Sequence, residues 1–135
     1  MTISKLAIGY LLTSIVFFAI DMVWLGFVAK DLYRRHLNNF LSEEVNWTAA
    51  ITFYLLFIVG IFIFAILPAL EKNSLARALT LGALFGFFTY ATYDLTNLAT
   101  LKNWPLTIVF IDIAWGSFLT ASVSAAGFTI LKWLN

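Results

Sequence analysis

Tyr90-Ala-Thr-Tyr-Asp-Leu-Thr-Asn-Leu-Ala-Thr-Leu101 sets a carboxylate, an amide, two phenols and a row of threonine hydroxyls inside a hydrophobic run. The run extends back to position 75, and about 20 apolar residues at 1.5 Å rise are enough to cross a 30 Å hydrocarbon core. An ionisable side chain at such a depth costs about 2.5–3.5 kcal/mol on insertion scales, so Asp94 marks a functional site by default. The rest of the chain is read for what it places beside this acid.

Three further runs are long enough to span, giving 6–29, 47–69, 75–100 and 105–131. Composition agrees: 62% of residues are apolar and 11% charged, outside the range of an ordinary soluble domain. The expected fold is all-α, a single membrane domain over 1–135 built as a four-transmembrane-helix bundle with both termini on one face. The first run exceeds the apolar core of a cleavable signal peptide and has no small-x-small cleavage site after it, so it is expected to stay as a span. A net charge of +1 without basic or acidic blocks argues against nucleic acid as a partner, which leaves the lipid bilayer. With no cysteine, disulfides, thiolate metal sites and cysteine nucleophiles are excluded.

The connections fit this division. Residues 30–46 carry Tyr33, Leu37, Phe40 and Leu41 near helical spacing opposite charges, which suits either a short amphipathic helix or a helical overhang followed by a polar loop. Pro68 and Glu71-Lys-Asn-Ser74 end the second span, with Asn73 or Ser74 as a cap for the third. Asn103-Trp-Pro105 opens the fourth, with Pro105 expected in its first turn. Lysine and arginine divide equally between the two faces, so the positive-inside rule gives only a lean, from the α-amino group, to cytoplasmic termini.

Depth is more informative. Counted from the face opposite the termini, Asp21 is about nine residues below the end of its span, Asp94 about seven below, and Asp112 about seven into the fourth, or roughly 10–13 Å. Three helices thus put a carboxylate in one layer, and a shared interior costs less than three acids facing lipid. The faces agree: Ala78, Gly82, Gly86, Tyr90 and Asp94 follow at intervals of four, and Asp112, Gly116, Thr120 and Ser124 repeat the device. Such small-residue stripes let helices approach closely. The first span sets Ser14, Phe17, Asp21 and Trp24 on one side. The second, without an ionisable residue, offers Tyr54 and a wall of Ile and Phe.

Ile20-Asp-Met-Val-Trp-Leu-Gly-Phe27 echoes Ile111-Asp-Ile-Ala-Trp-Gly-Ser-Phe118 in spans expected to run antiparallel. An inverted repeat around a central site is one reading; the simpler one is local, an acid three residues from a tryptophan whose N–H can donate to a carboxylate. Asp21-Met-Val-Trp-Leu-Gly26, Phe53-Tyr-Leu-Leu-Phe-Ile-Val-Gly60, Gly82-Ala-Leu-Phe-Gly86, the Tyr90–Leu101 segment and Asp112-Ile-Ala-Trp-Gly116 together resemble a family of small predicted bacterial membrane proteins, a domain of unknown function. The Tyr-Asp-Leu-Thr-Asn segment is the specific part. What the resemblance implies is four spans in the bacterial inner (plasma) membrane, with no activity attached.

Several functional readings stay open. Buried acids can be structural, hydrogen-bonded to Tyr, Trp, Asn or Thr and fixing helix register. As an enzyme or enzyme subunit, the chain would work on an apolar lipid or isoprenoid. Ionising three neighbouring buried acids together is unfavourable, so one would serve as a Brønsted acid beside an ionised base. Asp94 is the candidate acid or base, with Asp21 and Asp112 as partner and electrostatic support. Tyr90, Tyr93, Asn97, Trp24 and Trp115 are candidate substrate contacts, the aromatic faces tolerating developing positive charge. No Lys or Arg lies inside the spans at the depth of the acids, which disfavours a buried phosphate.

The alternative is a proton-coupled transporter of hydrophobic cations, expected to act as a homodimer. Least favoured is a metal site of three carboxylates and Asn97; no metal is assigned, and no cofactor motif is present. The one histidine, His36, sits in the first loop and is expected to be interfacial. Trp24, Trp47 and Trp104 towards one face and Trp133 towards the other are expected as interfacial anchors, while Trp115 lies deeper.

Overall fold

Each of the four runs is a helix in the computed structural model, which describes residues 1–135. The spans are Ile3–Val28, Trp47–Glu71, Leu75–Thr100 and Leu106–Leu134, within three residues of the boundaries read from hydropathy. Residues 30–37 form a separate short helix, Lys30–Leu37, set off from the first span by Ala29 at φ −104° and ψ 0°. This decides between the two readings of that loop in favour of the amphipathic helix.

Local chemistry fixes the helix ends. Asn46 accepts from the Ala49 N–H at 3.1 Å and Ser74 from the Arg77 N–H at 3.1 Å, each satisfying a donor that the first turn leaves free. Asn73 takes φ 46° and Asn103 φ 60°, left-handed positions that asparagine tolerates, and they turn the chain between consecutive spans. Pro105 caps the fourth span from just outside its first turn, with φ −73° and ψ 127°.

The third and fourth spans form the tightest pair in the bundle. A Cβ on Gly82 would come within 2.6 Å of the Thr120 carbonyl oxygen, and one on Gly86 within 2.6 Å of Thr120 Oγ1. Gly116 in turn lies under the Tyr90 ring. The first span packs on the fourth, with Gly9 against Leu131, so both chain ends lie at one end of the bundle. The main core, which includes Phe17, Phe57, Ile58, Ile61, Leu119 and Val123, joins the first, second and fourth spans.

The second span behaves differently along its length. It is interrupted by a π-helical turn, Phe62–Ile66, which packs against the third and fourth spans. Towards the opposite face, over Trp47–Ile61, its backbone has scarcely any close approach to its neighbours. Aromatic side chains bridge that gap: Tyr54 meets Phe17 and Phe18, and Phe57 meets Phe85 and Tyr90.

Only 30 of the 135 residues are buried, and the outward faces carry Phe27, Phe64, Phe110 and many Leu, Ile and Val. Helices that are apolar on every side require an apolar solvent, which a bilayer supplies.

The close pairing gives a direct test. Replacing Gly86 with Ala sets a methyl against the backbone of the fourth span and is expected to lower stability in detergent by about 1–3 kcal/mol. Gly26, where a Cβ would meet nothing within 4 Å, is the control; Gly26→Ala should leave the thermal midpoint unchanged or slightly raised.

Candidate functional site

Where the second span stands off, it leaves a cavity of about 200 Å³ towards the face opposite the termini. Asp21, Asp94 and Asp112 all line it, each from a different span. The depth argument therefore has a physical counterpart, three carboxyl groups around one void. Of the aromatic residues expected beside them, Trp24, Tyr90, Tyr93 and Trp115 are also in the wall. Asn97 is not; it sits one turn beyond Tyr93, half-buried and beside that phenol.

The three acids are held differently. Asp21, from the first span, accepts a hydrogen bond from the Tyr54 hydroxyl at 3.1 Å and has the Trp115 indole turned towards it. Asp112, from the fourth, accepts from the Tyr33 hydroxyl at 2.8 Å, and that hydroxyl accepts from Trp24 Nε1 at 3.1 Å. Asp94 is fully buried, and neither of its oxygens meets a donor. Its neighbours are the Asp112 carboxyl and the Trp104 indole, whose N–H is also left without a partner. One proton shared between Asp94 and Asp112 would turn their repulsion into a hydrogen bond. No three His, Cys, Asp or Glu side chains stand close enough together to chelate a metal ion.

Residues 6–129 match a family of predicted membrane proteins, DUF2177. The chain belongs to that family. No curated protein and no solved structure matches it.

Three wall residues of this DUF2177 chain that carry a hydrogen-bonding group were not among the candidate site residues. Tyr33 comes from the short helix, which folds back over the cavity mouth; its position on the apolar side of an amphipathic segment was the available signal. Burial, with Asp112 beside it, pushes the Tyr33 phenol above its ordinary range, so it stays protonated and serves as a donor. Tyr54 is the polar residue in the upper half of the second span that reaches inward. Trp104, like Trp24, corrects an expectation: instead of anchoring at the interface it is 7% exposed and packs edge-to-face on Tyr93, with ring centroids 5.9 Å apart. Its place in the short connection between the third and fourth spans suggested the membrane surface, but it follows a left-handed residue, Asn103, and its ring lies inward.

Trp24 and Trp115 stack face to face, 4.3 Å apart and 6° from parallel, closing the wall between the first and fourth spans. Trp24 opens a π-helical turn, Trp24–Val28, at the end of the first span. Such turns are over-represented at functional sites because they re-aim side chains.

Two expectations follow. Because Asp94 is buried without a donor, Asp94→Leu should raise the thermal midpoint, removal of an unsatisfied buried polar group being worth about 1–3 kcal/mol; a lowered midpoint would show that the carboxyl has a structural partner. Tyr33→Phe removes the donor to Asp112 and the acceptor for Trp24, at a cost of about 1.5–3 kcal/mol for the charge-assisted bond. Hydrogen exchange should then quicken in residues 30–37 and stay unchanged in the spans.

Proposed function

We propose that this chain is an intramembrane acid–base centre, an enzyme or enzyme subunit that moves a proton to and from an apolar lipid or isoprenoid substrate. The observation that carries the reading is Asp94, wholly buried, with both oxygens free of donors, at the wall of a cavity that two other acids share. A group that only fixed helix register would have its hydrogen bonds made, as Asp21 and Asp112 do. Asp94 delivers or receives the proton; Asp112 beside it is the partner carboxyl, and Asp21 completes a site that favours positive charge on the substrate. The faces of Trp24, Tyr90, Tyr93 and Trp115 act in the same sense. The absence of any cation in the cavity wall argues against a substrate whose phosphate lies at this depth.

The same surroundings would suit a hydrophobic cation in transit, exchanged for a proton, and the stacked Trp24–Trp115 pair is the observation that favours this second reading. Both place the chain in the bacterial inner membrane with cytoplasmic termini. Comparing the lipids of cells with the gene, without it and with Asp94→Asn separates them. Under the enzyme reading one lipid precursor accumulates equally in the last two. If the lipid profile is unchanged and only tolerance of lipophilic cations falls, the enzyme reading is overturned in favour of transport.

A further inference from the structure

A second recess, of about 480 Å³, lies against the cavity on the side where the second and third spans part. Its wall is Phe53, Phe57, Thr89, Tyr90, Tyr93 and Asp112, of which Phe53, Tyr90, Tyr93 and Asp112 also line the cavity. The two spaces therefore share a boundary, and Asp112 faces both. Phe53 and Tyr93, at the outer margin, are each more than half exposed on the lipid-facing surface. No backbone closes the gap, because the second span over Trp47–Ile61 meets the third through side chains and scarcely through its backbone. The opening is thus sideways, into the hydrocarbon layer.

Taking the proposed acid–base role as given, we infer that the recess holds the hydrocarbon chain of a single-chain lipid that reaches the cavity from within the bilayer, its reacting end among Asp21, Asp94 and Asp112. Size and chemistry select this occupant. The recess is apolar apart from Thr89, the phenols and Asp112, and Thr89 spends its hydroxyl on the Phe85 carbonyl of its own helix, so the wall it offers is a methyl. The cavity beyond it has three acids and no cation, so a phosphate head is repelled, while positive charge at the end of the chain is complemented by carboxylates and aromatic faces. A site built for positive charge that develops during reaction binds a stable cation of the same shape more tightly than the neutral substrate. A long-chain ammonium is therefore the natural probe.

Native mass spectrometry of the protein released from detergent micelles, with dodecylamine, dodecyl phosphate and butylamine as probes, tests this. Dodecylamine is expected to bind saturably, about tenfold or more tighter than dodecyl phosphate. Thr89→Phe, which fills the recess, should weaken dodecylamine by about tenfold and leave butylamine unchanged, whereas Asp94→Asn weakens both. Phe53→Trp narrows the recess from its other wall and serves if Thr89→Phe does not fold. Dodecylamine binding that neither recess variant weakens overturns the chain site and leaves the acid centre standing. Binding of both amines that is indifferent to Asp94→Asn overturns the acid centre itself, and equal binding of dodecyl phosphate overturns the charge selection.

Discussion

The approach of the Gly86 and Gly116 backbones is the contact on which the rest of the molecule depends. Between helices in a bilayer there is no hydrophobic driving force, since lipid tails are as apolar as leucine, and association rests on close packing. The glycines supply it, and Tyr90 lies over Gly116 to lock the register. Asp94 is two turns beyond Gly86, and Asp112 is one turn before Gly116 on an antiparallel helix, so both displacements point to the same face. Once the two glycines touch, the two acids lie on one face about 6 Å apart in level, a difference narrowed because side chains lean towards the N-termini of their antiparallel helices. Their proximity is a consequence of the crossing point, and no interaction between them is needed to create it.

The cavity has a separate cause. The second span is tied to the bundle at and just before its π-helical turn, through Ile58, Ile61, Phe62 and Ile66, all in the main core. Above the turn it presents Phe53, Tyr54 and Phe57, side chains too large to let the backbones close. The first and third spans are therefore separated at the depth of the acids, and side chains alone fill what would otherwise be a helix–helix contact. Tyr54 spans the gap to reach Asp21, which ties the loose half of this helix to the polar layer it helps to enclose. An aromatic-rich span thus stabilises the bundle at one end and holds it open at the other.

Much of this was legible in the sequence, and the part that was not has a physical reason. Spans and small-residue stripes are periodic, and the common depth of Asp21, Asp94 and Asp112 follows from counting residues at a fixed rise. The missing wall residues lie where periodicity fails. Tyr33 sits on a helix that returns over the cavity after a break at Ala29, and Trp104 is redirected by a left-handed asparagine, so neither position can be projected from a straight helix. Asn97 fails for the opposite reason. It follows Asp94 by three residues, which puts it on the same side of the helix, but a turn higher, past the end of the void. The recess was invisible because it is defined by what the second span does not touch.

The echo between the first and fourth spans takes on a local meaning. Trp24 and Trp115, each three residues after an aspartate, stack on one another from antiparallel helices, and each aspartate accepts from a tyrosine on another element, Asp21 from Tyr54 and Asp112 from Tyr33. The two halves of the pair are alike in acid, indole and phenol. Asp94 has no counterpart in this arrangement and no donor of its own. Two acids whose lone pairs are engaged by phenols are held in place by those bonds, while the third has no phenol donating to it. The asymmetry sets the third acid apart from the other two. The matched pair braces the cavity wall through its phenols, and the unmatched acid on the third span is the one to which the proposed function gives the mobile proton.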